Sequence, residues 1–186
     1  MHLLKKPLTN TEGKMPNKIA IVVGHHKFSK GAKSSHLLSE YDLMSEVAEN
    51  LKDVADVFYH NPKIGGYNSR QKAMGKKTSK YKIVFELHYN AATPQANGCE
   101  ALYYFSNNEG KAIAEEFCLL VNSKMGIKNR GAKALHSENQ RGFGFVYNMK
   151  GTAIILEPFF GTSWKDVTLF DKKMYADLLR QFIKTL

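Results

Sequence analysis

Ile83-Val84-Phe85-Glu86-Leu87-His88-Tyr89-Asn90-Ala91-Ala92 is the stretch whose reading decides the fold. Its β-branched and aromatic residues in close succession predict a buried strand, and the small polar residues that follow mark the chain's exit from a sheet. His88 is therefore expected at a strand's carboxyl end, the edge at which open α/β sheets build their ligand sites. A single histidine there is more often structural than functional, but two other stretches share the pattern. Ile19-Ala20-Ile21-Val22-Val23 leads through Gly24 to His25, and Ala153-Ile154-Ile155-Leu156 leads to Glu157. Glu40 opens the first strongly periodic segment. Two histidines, one ligand carboxylate and one further carboxylate make the parts list of a hydrolytic zinc centre.

Outward from these stretches, strands and helices alternate. Strand one is predicted from Lys18 to Val23, with Gly24 allowing a tight turn before His25. The polar segment from Lys27 to Ser35 suits a loop at the rim of a site. Ser39 with an acid three residues on marks a helix start, and Leu43, Met44, Val47, Ala48 and Leu51 give that helix its apolar stripe. Glu40 then sits in the first turn, where an acid also complements the helix dipole, and taken alone that role is the commoner one. A short strand is predicted over Asp56 to His60 and a basic helix over Ser69 to Lys77. Cys99 to Phe105 reads as a strand, followed by a helix capped by Asn108 and ended by Gly126. Lys128 to Phe145 reads as polar and glycine-punctuated, and a last amphipathic helix begins near Asp171. The economical fold is α/β: a single domain with a mainly parallel twisted sheet flanked by helices on both faces.

Composition narrows the class. The chain of 186 residues is 43% hydrophobic and 24% charged, which fits one soluble globular domain, and no apolar run reaches the length of a membrane span. Residues 1–17 are polar and Lys-rich without a following apolar segment, so they are expected to be a leader or arm, with 18–186 as the catalytic domain and no secretory signal. Synthesis in the cytoplasm and a monomeric state are the default expectations. Cys99 and Cys118, far apart and without ligand spacing, are expected to be buried thiols. The net charge of +10 implies a surface attractive to polyanions. Its densest tract, Asn61 to Lys82, holds Lys63, Arg70, Lys72, Lys76, Lys77, Lys80 and Lys82 with no acid, but only Tyr67 and Tyr81 as stacking aromatics. A solvated face is expected there, not a nucleic-acid groove.

Four motifs taken in order, Gly24-His25, Ser39-Glu40-Tyr41-Asp42-Leu43, Leu87-His88-Tyr89-Asn90-Ala91 and Leu156-Glu157-Pro158-Phe159-Phe160, resemble the zinc-dependent N-acetylmuramoyl-L-alanine amidases. These are peptidoglycan hydrolases that include bacterial autolysins and phage endolysins. The resemblance covers about residues 17 to 186. It implies His25, Glu40 and His88 as zinc ligands and Glu157 as the catalytic carboxylate, with peptidoglycan as substrate. Each motif is weak singly; the order gives the specificity. Two departures stand out: His26 and Lys27 follow His25 where the family more often has glycines, and Pro158 replaces a glycine after the catalytic acid. His25, directly after Gly24, is taken as the ligand. A small basic member without a wall-binding module looks like an endolysin, made in a host cytoplasm and acting on the wall after release.

His36 is the main rival ligand, since it forms an i, i+4 pair with Glu40, although its place before the helix cap makes it a loop residue. His136 is a weaker candidate for substrate contact, and Asn90 is expected to tie the turn after His88 through backbone hydrogen bonds. Two other function classes are compatible with the residue types. One is a zinc peptidase of carboxypeptidase type, against which the fifteen-residue spacing of His25 and Glu40 argues. The other is a non-enzymatic basic domain that binds wall polymer or nucleic acid.

Overall fold

The structure, a computed structural model, describes residues 19–186, so the leader expected over residues 1–17 lies outside the described residues. Six strands, β1 (Ile19–Val23), β2 (Asp56–Tyr59), β3 (Ile83–Leu87), β4 (Cys99–Tyr104), β5 (Asn129–Leu135) and β6 (Thr152–Glu157), form one sheet in the order β2-β1-β3-β6-β4-β5. The pairs β1 with β2, β1 with β3, β3 with β6 and β4 with β5 are parallel. Only β4 with β6 is antiparallel. The sheet is thus mainly parallel, and β1, β3 and β6 end on one rim.

Six helices accompany them: α1 (Glu40–Glu49), α2 (Tyr67–Lys77), α3 (Asn108–Met125), α4 (Phe143–Asn148), α5 (Trp164–Leu169) and α6 (Lys172–Thr185). Strand residues alternate between faces, and both faces are covered. Ile19, Ile21, Val23, Phe85, Leu87 and Ile154 join the apolar stripes of α1, α3 and α6 in the larger core. Ala20, Val22, Val84, Ala153 and Ile155 pack against Met74 of α2 and Phe145 and Val146 of α4. Phe117 of α3, fully buried, lies against the rings of Tyr175 and Phe182 of α6. Phe117→Ala is expected to destabilise the domain by about 3–5 kcal/mol, measured by denaturant unfolding, because the two helices leave a cavity they cannot close.

The elements differ from the sequence reading in identifiable places. Asn107, not Asn108, caps α3: its side chain accepts the Gly110 N–H. The segment from Lys128 to Phe145 contains β5 and α4, because β5 is an edge strand with only Leu135 buried and so lacks the alternation that marks a half-buried strand. The six-residue α5, capped by Ser163, is too short to show a period. Cys99 and Cys118 are both buried free thiols, 3.8 Å apart at sulfur. In the basic tract, Lys72, Lys76, Lys77 and Lys80 are exposed while Tyr81 is buried and caps Asp56 with a 2.6 Å hydrogen bond. That leaves a solvated cationic face on α2. No described helix is long and apolar enough to cross a membrane.

Candidate metal centre and cleft

Gly24 continues β1 by donating its N–H to Leu87 O at 3.1 Å, and His25 then turns out of the sheet with φ of 64°. A residue bearing a Cβ adopts this left-handed conformation at a cost of about 1–2 kcal/mol. The turn is fixed by paired backbone hydrogen bonds between His26 and Ser29. His26 itself is used locally, its Nδ1 accepting the Phe28 N–H at 3.3 Å.

Glu40 reaches the same rim from the first position of α1. Ser39 caps the helix by accepting the Asp42 N–H, and Glu40 and Ala32 exchange two hydrogen bonds, Glu40 N–H to Ala32 O at 3.0 Å and Ala32 N–H to Glu40 Oε2 at 2.8 Å. The buried Tyr89 ties down the same loop, donating its hydroxyl to Ala32 O and Leu38 O. With the loop pinned, Glu40 Oε2 lies 2.9 Å from His25 Nε2 and Oε1 lies 2.6 Å from His88 Nδ1. Burial opposes ionisation of Glu40, but hydrogen bonds with His25 and His88 outweigh it and hold the carboxyl at about 2.

His25, Glu40 and His88 each present one donor atom, all within 4.8 Å of one another. Donors around a tetrahedral zinc stand roughly 3.3 Å apart, so the set needs only small side-chain adjustment to hold an ion. Two glycines make the space. A Cβ at Gly24 would run into the His88 ring, and one at Gly31, whose φ is +75°, into both Glu40 Oε2 and the His25 ring.

Behind His88 lies a buried polar cluster that the sequence reading passed over. Glu86 Oε2 is 3.2 Å from His88 Nε2, while Glu86 Oε1 is 2.9 Å from His60 Nε2 and accepts a longer bond from Gln71. Glu86, His60 and Gln71 are all buried. Burial opposes the charge on Glu86, yet the hydrogen bonds from His60 and His88 keep its carboxyl well below the usual carboxylate range. The available signal was an acid inside an apolar strand two residues before His88, a spacing that puts both on one face.

Glu157, the last residue of β6, stands across a cleft of about 650 Å3 lined also by His25, Glu40, His88 and Arg141. Asn90 Nδ2 donates to Glu157 Oε2 and to Glu100 Oε1, both at 2.7 Å. Asn90 also makes the expected backbone bonds, its N–H to Phe159 O and its carbonyl from Gly161 N–H, which order the turn beyond Pro158. Its side chain thus contacts Glu157 directly, a contact the backbone role did not anticipate. Burial raises the Glu157 carboxyl to about 8, with the charge on His88 pulling down and Glu100 pushing up.

The other candidates lie elsewhere. His36 packs edge-on against Trp164 with ring centroids 4.7 Å apart, lines a separate hollow with Leu38 and Phe170, and is not in the three-donor group. His136 stacks on Phe105 at the end of β5, away from the cleft lining.

The model of the N-acetylmuramoyl-L-alanine amidase family matches residues 19–185, which takes in every element described. The chain belongs to this amidase family. Solved amidase structures share its fold. The catalytic domain of the CD27L endolysin targeting Clostridia difficile aligns at 25% identity with TM-score 0.73, over 90% of this chain and 96% of that one. AmiC2 of Nostoc punctiforme aligns at 20% identity with TM-score 0.68, over 92% and 98%. An N-acetylmuramoyl-L-alanine amidase from Clostridium difficile 630 aligns at 17% identity with TM-score 0.69, over 90% and 95%. No curated protein sequence matches the chain. The family model thus spans all but the last of the described residues.

Proposed function

We propose that this amidase hydrolyses the amide bond between the lactyl group of N-acetylmuramic acid and L-alanine of the stem peptide, with zinc held by His25, Glu40 and His88 and with Glu157 as proton carrier. The observation that carries the reading is the gathering of those three donors within 4.8 Å, with a half-buried carboxylate lining the same cleft. A zinc ion there supplies a Lewis acid for the amide carbonyl and lowers the pKa of water to about 7. Glu86, against His88 Nε2, fits the carboxylate–histidine arrangement that orients a metal-binding imidazole and raises its basicity.

Glu157 accepts a proton from the attacking water and returns it to the L-alanine nitrogen as the carbon–nitrogen bond breaks. A carboxyl held high by burial is suited to both halves of that transfer, since it neither binds the proton too weakly nor keeps it. No covalent intermediate with the chain is required. The similarity to the catalytic domain of an endolysin supports a lytic role, in which the enzyme is made in an infected cell's cytoplasm and released to the wall.

Mass spectrometry of digested peptidoglycan tests the bond. The expected products are glycan strands with intact lactyl groups and stem peptides with a free L-alanine amino terminus. New reducing sugar ends would make the protein a glycosidase, and cleavage within the stem would make it a peptidase.

A further inference from the structure

Glu100 has no part in the scheme above, yet it is the residue most closely joined to Glu157. The two are directly opposed across the antiparallel pair of β4 and β6. Like charges in that position destabilise a sheet, so a side chain selected only for the fold would not be a second carboxylate. Here three features are arranged around it. Asn90 spends both protons of its amide on the pair, one to each carboxylate. Arg130 Nε donates to Glu100 Oε2 at 2.7 Å, and its guanidinium lies over the Phe160 ring, 5.0 Å from the centroid.

The third feature is the backbone that aims Arg130. In the β4–β5 ladder Cys99 pairs with Asn129 and Glu100 with Gly131, so Arg130 is the extra residue of a bulge, and Gly131 takes φ of +79°. Bulges next to active sites re-aim side chains. Gly98 clears the way, because a Cβ there would meet the Arg130 stem at 2.8 Å. Asp166 then ties the two strands together at this end, accepting the Gly98 N–H before β4 and the Phe160 N–H after β6.

We infer that Glu100, clamped by Arg130, is a positioning residue that works through Asn90 to hold the Glu157 carboxyl in its catalytic orientation and to make it, and not Glu100, the carboxylate that takes the proton from water. The inference rests on the proton-carrying role proposed for Glu157. Arg130 donates to Glu100, and a cation beside one of two opposed carboxylates makes the other the better proton acceptor. The raised pKa of Glu157 agrees with this division. The other titratable and charged residues that line the cleft with Glu157 include His25, Glu40, Glu86, His88, Tyr67 and Arg141. The variants below alter none of these.

The test uses the zinc-loaded full chain and a soluble muropeptide. Glu100→Gln, nearly isosteric, is expected to lower kcat by about 10- to 100-fold with KM and zinc content unchanged. It should also move the acidic limb of kcat/KM, which reports the free enzyme's base, to lower pH. Arg130→Gln leaves Glu100 uncompensated and should move that limb to higher pH. Opposite shifts from two neighbouring variants are not produced by loosened packing. In a Glu157→Gln background, Glu100→Gln should cost nothing further in residual rate. A raised KM with unchanged kcat, loss of zinc, or limbs that stay in place or move together would each overturn the inference. Full turnover by Glu157→Gln alone would instead overturn the role of Glu157 on which it rests.

Discussion

Glu157→Gln is expected to reduce turnover by about 100-fold or more while the protein keeps its zinc. The prediction follows from separation of roles. Glu157 hydrogen-bonds to Asn90 and lies beside Glu100, and it is not one of the three donors gathered within 4.8 Å. The substitution preserves shape and the ability to accept the Asn90 bond, so the cleft should persist without its proton carrier. Elemental analysis gives zinc per chain, and single-turnover rates on a soluble muropeptide give the chemistry. Loss of metal together with activity would move Glu157 into the ligand set, and unchanged turnover would require another base.

Removing metal should have the larger effect: treatment with a strong chelator should take activity below detection, and added zinc should restore it. Glu40 allows the same experiment within the chain. Its carboxylate both faces the two histidines and accepts the Ala32 N–H, so Glu40→Ala removes a ligand and unties the rim loop together. Glu40→Gln can keep the Ala32 bond while losing the charge that a dication requires. Both variants should lose tight zinc binding, read by competition with a chromophoric chelator. His36→Ala, remote from the donors and packed on Trp164, should leave it intact. Retained zinc in Glu40→Gln with loss in His36→Ala would exchange their places.

What the sequence disclosed and withheld has a physical pattern. His25, His88 and Glu157 were legible because parallel strands buried on both faces read as continuous apolar runs, and the first polar residue after each run marks the rim. Glu40 was legible through the cap that Ser39 provides. Glu100 and Arg130 were not, since their meeting with Glu157 depends on a strand reversal and on a bulge in β5, neither of which leaves a periodic trace. Asn107 and Asn108 are equally good caps in isolation, and the fold chooses between them by the fit of α3 over β4 and β5. β5 itself was hidden because an edge strand with only Leu135 buried shows no alternation of apolar and polar residues.

The left-handed backbone at His25 sets robustness against chemistry. Glycine or asparagine would occupy that φ with less strain, and what the imidazole returns to the fold is its 2.9 Å contact with Glu40. Selection for heat tolerance alone would reward replacements at residue 25 wherever the relief of strain exceeds the loss of that contact, and each would forfeit a proposed zinc ligand. Engineered lines of this amidase need a screen that reads peptidoglycan hydrolysis alongside melting temperature, or the most durable clones will be the inert ones.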